Sequence, residues 1–133
     1  MYPFNTLSPN EFENLAADLV GAIQNRYFQR FAEGPDSGID GLVDKDKWII
    51  QAKRYKKTSD LLSKIKSEKQ KRDRLKPKRY FLVTSCSLTP KNKTDIQKSL
   101  TPHIISTDDI LALDDLDSLI KDYPKILRKY HKL

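Results

Sequence analysis

An acid, a short turn and a polar-x-lysine strand end follow one another closely in this chain. They lie in Gly34-Pro35-Asp36-Ser37-Gly38-Ile39-Asp40 and then Trp48-Ile49-Ile50-Gln51-Ala52-Lys53. Side chains two apart on a strand share a face, so Gln51 and Lys53 are neighbours there. Asp40 stands in an otherwise apolar stretch, where a carboxylate is costly to bury unless a cation compensates it. A divalent ion held by Asp40, with an ammonium group beside it, suits hydrolysis of a phosphodiester: the ion activates water and polarises the phosphate, and Lys53 steadies the developing charge. Taken singly, Asp40 reads equally well as a solvent-facing strand residue and Lys53 as a surface lysine. Their pairing across a hairpin, after a Gly-rich approach, carries the signal.

The charge pattern fits the same chemistry. The chain has 133 residues and a net charge of +7, from 25 Lys+Arg against 18 Asp+Glu. Residues 45–79 hold 15 basic and 4 acidic side chains, whereas residues 1–44 hold 2 basic and 7 acidic ones. An acid-rich segment able to hold cations therefore runs into a basic one able to hold phosphates. A binding-only module needs the second and not the first, although a lysine face is also a common solvated surface. The single cysteine, Cys86, excludes an internal disulfide framework and is expected to be buried or half-buried after an apolar strand. No apolar run approaches a membrane span and no signal-peptide pattern opens the chain, so a cytoplasmic location is expected.

The elements that would position these residues alternate. Ser8 as N-cap, Pro9 at the first helical position and Glu11 at the capping-box position start a helix. Phe12, Leu15, Ala16, Leu19 and Ile23 carry it to about Ile23, with Gly21 weakening its end. Tyr27 to Ala32 reads as a strand, and Ile39 to Val43 with Trp48 to Lys53 as a hairpin around Asp44-Lys45-Asp46-Lys47. Thr58 to about Leu75 reads as one helix with a narrow stripe of Leu61, Leu62 and Ile65. Arg79 to Thr84 is a continuous apolar strand of the kind buried on both faces. Thr89-Pro90 starts a helix to about Leu100, His103 to Ser106 reads as a short strand, and Thr107 caps a last helical region broken near Asp114 and again at Pro124. The order αβββαβαβα predicts one α/β domain over residues 1–133, with a mixed central sheet between helical layers.

The run Gly34-x-Asp36-x-Gly38-Ile39-Asp40 followed by Gln51-Ala52-Lys53 resembles the PD-(D/E)xK nuclease superfamily, in its Mrr-like restriction endonuclease branch, where Gln replaces the usual second acid. The resemblance covers nearly the whole chain and implies a restriction-endonuclease-like three-layer sandwich. It makes Asp40 the metal-binding aspartate, Gln51 the residue at the second-acid position and Lys53 the catalytic lysine. The backbone carbonyl of Ala52 and either Gln51 or Glu13 join Asp40 around the metal. Glu13 matches a helix-one glutamate often near the metal in such nucleases, and reads equally as an exposed helix residue. Asp36 is better read as a turn residue than as an auxiliary ligand. The departure that matters is Gln51, because a neutral amide is a weaker metal ligand than a carboxylate.

The function implied is Mg²⁺-dependent endonucleolytic hydrolysis of double-stranded DNA, with Mn²⁺ as a substitute ion. Lys56, Lys57, Lys64, Lys66, Lys69, Lys71 and Arg72 are the candidates for backbone phosphate contacts, which position DNA without reading its bases. No recognition helix is evident, so little sequence preference is expected. Asp108-Asp109-Ile110-Leu111 and the ending from Tyr123 to Leu133 resemble N-terminal nuclease domains fused to STAND-type NTPases of prokaryotic antiphage defence. That likeness implies following NTPase and sensor domains and a homo-oligomer in the active state. The P-loop pattern G-x-x-x-x-G-K-[ST] does not occur in these residues. Two alternatives stay open: a DNA-binding or assembly module on a degenerate nuclease site, and an interaction domain docking through its carboxy-terminal helices.

Overall fold

Ser8 starts the first helix by accepting a hydrogen bond from the Glu11 amide at 3.1 Å, while the Glu11 carboxylate accepts from the Ser8 amide at 2.9 Å. With Pro9 in the first turn, this reciprocal cap begins α1 (Pro9–Gln24) where the sequence places it. The computed structural model of the chain describes residues 1–31 and 41–133. Asp36 and Asp40 lie outside the described residues, as do the Gly34-to-Ile39 approach and Ala32.

Among the described residues, five strands form one sheet in sequential order: β1 (Gln29–Phe31), β2 (Gly41–Val43), β3 (Trp48–Lys53), β4 (Arg79–Thr84) and β5 (Ile110–Leu111). The β1–β2 and β2–β3 pairs are antiparallel, whereas β3–β4 and β4–β5 are parallel. Parallel neighbours need crossovers, and helices supply them: α2 (Thr58–Ser67) and α3 (Lys69–Leu75) between β3 and β4, and α4 (Pro90–Ser99) between β4 and β5. Helices α5 (Leu113–Ile120) and α6 (Pro124–Lys129) finish the chain.

Alternation along β3 and β4 divides the core into two layers. Ile50, Phe81 and Val83 pack with Phe12, Leu15 and Leu19 of α1 and with Leu116 and Ile120 of α5. Ile49, Tyr80 and Leu82 pack against Leu61 and Ile65 of α2, Ile96 of α4 and Ile110. Each such side chain, fully removed from water, contributes about 1.5–3 kcal/mol before entropy is counted. The result is the mixed-sheet, three-layer α/β architecture of a restriction-endonuclease-like fold, and β4 is buried on both faces as its apolar run predicts. Cys86 is buried too, donating from Sγ to the Tyr55 carbonyl at 3.0 Å. Among the described residues, no helix is long and apolar enough to cross a membrane.

Three expectations are corrected. The helix expected from Thr58 to Leu75 is two helices, broken at Glu68, whose backbone leaves the helical region (φ −96°, ψ 6°). His103 to Ser106 is not a strand: the His103 and Ile104 amides donate back to the Leu100 carbonyl at 2.7 and 3.3 Å, closing a turn after α4. The strand that completes the sheet is Ile110–Leu111, in register with Leu82 and Val83 of β4. The cap of the preceding 3-10 turn (Thr107–Asp109) is Ser106 and not Thr107.

Candidate active site

The hairpin that carries β3 is fixed at its turn. Asp44 Oδ1 accepts from the amides of Asp46 and Trp48, both at 2.9 Å, and Asp44 Oδ2 accepts from Arg26 Nη1 at 2.7 Å. The Arg26 guanidinium lies over the Trp48 ring, 3.5 Å from its centroid. Burial pushes the Asp44 carboxyl upward, but Arg26 and the two backbone amides outweigh it and hold the group below the usual aspartate range. Lys47 completes the turn in the left-handed region at φ 61°. The start of β3 is therefore anchored, and its far end faces the helical crossover.

At that far end Gln51 and Lys53 fall on the face of Ile49, toward α2 and α3. Lys53 sits opposite Thr84 at the carboxyl ends of two parallel strands, where the crossovers of open α/β sheets leave crevices for ligands. The loops beyond are tied together. The Tyr55 carbonyl accepts from Ser85 Oγ at 3.2 Å as well as from Cys86, and the Ser85 amide donates to the Lys53 carbonyl at 3.4 Å. Gln51 is buried. Lys53 Nζ donates to Glu68 Oε1 at 2.6 Å, with side chains only 11% and 9% exposed.

Sequence reasoning missed Glu68. Within an apparently continuous lysine-rich helix it looks like one more surface charge, and only the break between α2 and α3 turns it toward the sheet. Its backbone stays satisfied there: the Glu68 amide donates to the Lys64 carbonyl at 3.1 Å, and its carbonyl accepts from the Arg72 amide at 3.0 Å. Arg72 is a further correction. It is 2% exposed and donates from Nη1 to the Ile65 carbonyl at 2.8 Å, capping the end of α2, so it is not available to a DNA backbone. Tyr80 is fully buried, and burial pushes its hydroxyl up, with the Arg72 charge opposing and the Glu68 charge adding to that shift. The other phosphate-contact candidates, Lys56, Lys57, Lys64, Lys66, Lys69 and Lys71, are exposed; Lys69 also reaches Asp73 at 2.9 Å.

Glu13 is committed elsewhere. It pairs with Arg30 of β1, on the helix that covers the opposite face of the sheet. Ala52 directs its methyl to that same opposite layer. His103, given no role in catalysis by the sequence, meets Asp73 at 2.8 Å and ties α3 to the turn after α4.

Among the described residues a concavity of about 560 Å³ opens away from Lys53. It is lined by Arg26, Tyr27, Asp44 and Asp46 with their neighbours, and it belongs to the anchor of the hairpin. Lys53 does not line it, standing instead at the carboxyl end of β3. Among the described residues no cluster of three His, Cys, Asp or Glu side chains is close enough to hold a metal. The donors that do stand on this face, the Gln51 amide oxygen and the Glu68 carboxylate, are hard oxygen ligands of the kind that suit Mg²⁺ or Mn²⁺.

Comparison with known proteins decides the family. The restriction endonuclease family of Mrr catalytic domains matches residues 4–113. The chain belongs to that family. The match runs from the turn before α1 through the whole sheet to the start of α5, so the Mrr-type domain includes every element described around Lys53. An Mrr-type domain is a nuclease of the restriction type. A curated relative, "Uncharacterized protein y4cD" of Sinorhizobium fredii, is 42% identical over 136 aligned positions, which cover 99% of this chain. The chain spans about a fifth (21%) of that relative's length. No solved structure matches.

Proposed function

We propose that this Mrr-type domain is a divalent-metal-dependent endonuclease that hydrolyses phosphodiester bonds of double-stranded DNA with little sequence preference. The observation that carries the reading is Lys53: an ammonium group, nearly buried, fixed at the ends of two parallel strands and beside a basic surface. Asp40, Gln51 and the Ala52 carbonyl are the residues assigned to hold Mg²⁺, or Mn²⁺ in its place. When bound, such an ion supplies Lewis-acid polarisation of the phosphate and lowers the pKa of water.

The chain's own groups do the rest. Lys53 presents its ammonium to the scissile phosphate or to the attacking water, and stabilises charge that builds on the phosphoryl oxygens as the P–O bond breaks. Arginine substitutes poorly here, because a planar fork does not replace a compact point charge. Glu13 is a weaker fit to this site, since Arg30 already takes its carboxylate. The exposed lysines of α2 and α3 track the phosphate backbone and give affinity without base readout. The length of the Sinorhizobium relative supports placing the domain within a larger protein. We read it as the effector of a prokaryotic antiphage system, assembled into oligomers by an NTPase and sensor region in the cytoplasm. Assembly matters because cutting both strands of a duplex takes two active sites.

The test is incubation of supercoiled plasmid with the 133-residue chain and Mg²⁺ or Mn²⁺, with and without a fused dimeriser. Asp40→Ala and Lys53→Ala run alongside. Metal-dependent nicking or linearisation that both substitutions abolish is the expected result. Intact plasmid even after forced dimerisation would replace this reading with a DNA-binding module on a degenerate site.

A further inference from the structure

Among the described residues, the large apolar side chains left exposed are Met1, Ile23, Tyr27 and Ile105, and the last three stand at one end of the sheet. That end is where β3 and β4 begin, with Trp48 and Arg79 in register. Lys53 lies at the other end, five residue steps or about 17 Å along the strand from Trp48. Tyr27 is 80% exposed and Ile105 84%. Scattered singly, such residues need no explanation; gathered on one face, they mark a contact surface.

The face is also shaped. Tyr27 lines the concavity of about 560 Å³ beside the hairpin turn. Ile23 lines a hollow of about 380 Å³ with Val20, Phe81, Leu111 and Leu119, and Ile105 lines another of about 300 Å³. Gln24 belongs to the first two of these, and Arg79, Asp108 and Asp109 to the second and third. The three therefore run in a row, with Tyr27 at one end and Ile105 at the other. Arg79 braces the row, donating to Gln24 Oε1 at 3.4 Å and to Asp109 Oδ1 at 2.8 Å.

Charge decides what fits. At the Tyr27 end, Arg26 and Lys45 balance Asp44 and Asp46; at the Ile105 end, Lys78 and Arg79 balance Asp108 and Asp109. Arg26 is already paired with Asp44 and Asp46, Arg79 with Asp109, and His103 at the edge of the row with Asp73. A polyanion gains nothing from such a face, and a strongly acidic or basic protein finds no surplus charge to answer. Copies of a chain carrying +7 repel one another on most approaches. On this face they do not, and because each end sums to zero, the row matches a copy of itself turned end for end.

We infer that this end of the sheet is a homodimer surface, on which a second copy of the chain docks about a two-fold axis through the middle hollow. In a two-fold contact the same patch serves both copies, so the Tyr27 end of each meets the Ile105 end of the other. Each projecting side chain then has a hollow to enter, and the apolar lining around Ile23 is covered at the centre. The surface stands on shape and charge and does not depend on the proposed chemistry. If that chemistry holds, the Lys53 ends of both copies face away from the contact and stay open to DNA.

The experiment is sedimentation velocity of the 133-residue chain from about 1 µM to about 1 mM, a span that covers weak protein contacts, at low and high salt. The native chain is expected to pass reversibly from monomer to dimer. High salt should preserve or favour the dimer, because it screens the repulsion between two +7 copies. Tyr27→Lys and Ile105→Lys should each weaken dimerisation about tenfold or more while keeping the native circular dichroism, since both positions are exposed. Gln70→Lys on α3 adds the same charge away from this face and should not weaken it. Tyr27→Cys and Ile105→Cys test the arrangement: under mild oxidation a mixture of the two should cross-link faster than either alone, Cys86 being buried. A chain that stays monomeric at about 1 mM, a dimer that salt dissolves, or a dimer that neither lysine weakens overturns the inference and leaves the face to another partner. Cross-linking no faster in the mixture than in the separate variants overturns the two-fold pairing.

Discussion

Lys53 Nζ and Glu68 Oε1 stand 2.6 Å apart across the gap between a strand end and a helix junction, fifteen residues apart in sequence and about nine-tenths removed from water. Such a pair is asymmetric in its energetics: removing one charge strands the other. Lys53→Met or Glu68→Gln alone is expected to cost about 2–3 kcal/mol of stability, the lower end for a buried pair because each side chain keeps some solvent contact. The double replacement should cost less than the sum, by a coupling of about 1 kcal/mol or more in a urea-unfolding cycle. Additive losses would mean that the two groups do not depend on each other.

DNA affinity is expected to fall with salt along a log–log slope of about −5, if the six exposed lysines Lys56, Lys57, Lys64, Lys66, Lys69 and Lys71 each neutralise one phosphate. Each Lys→Gln replacement should lower the slope by about 1. Arg72→Gln should leave the slope alone and lower the melting temperature instead, because its guanidinium caps α2 from inside. A slope change in Arg72→Gln, measured by fluorescence anisotropy on a labelled duplex, would contradict that placement.

Asp44 gives the hairpin a defined acid response. Its pKa in the folded chain lies below the ordinary aspartate value of 3.8, so its contribution is complete above that value and is lost as pH falls through the depressed one. Trp48 is the only tryptophan, and it lies under Arg26, which grips Asp44. Its fluorescence therefore reports on the anchor. The stability advantage of the native chain over Asp44→Asn is expected to be largest near neutral pH and to shrink below about pH 4. An advantage independent of pH would assign Asp44 a role through shape alone.

Gly21→Ala is expected to destabilise the domain by about 1–3 kcal/mol despite alanine's better helix propensity. A β-carbon there would lie 2.7 Å from the Arg26 carbonyl oxygen, which folds back as the chain leaves α1 through Asn25 at φ 53°. The obstacle is backbone and not a movable side chain. A rise in the urea midpoint would show that the turn yields.

Much of this arrangement is legible locally. The Ser8 and Thr89 capping boxes, the Pro9 and Pro90 helix starts and the apolar run of β4 each use neighbours within a few residues, so the sequence displays them. The features it hides depend on distant partners. Nothing in Ser67-Glu68-Lys69 announces a helix break, because the break is tied to a lysine fifteen residues upstream. His103-Ile104-Ile105-Ser106 has strand composition, yet its first amides return to Leu100 and Ile105 is left 84% exposed, while the sheet accepts Ile110 and Leu111. In the site, Gln51 and Lys53 could be placed on one face from the period of a strand, whereas Glu68 needed the fold.

The two-residue length of β5 bears on how copies of this domain could sit together. An outer strand that short offers too few free backbone amides and carbonyls to template another sheet. On that flank, crowding many copies side by side does not invite fusion of sheets into a fibre, and any ordered contact there must be made by helix surfaces instead. On the proposed reading, in which assembly switches on cleavage, copies can then be concentrated and dispersed again without being trapped.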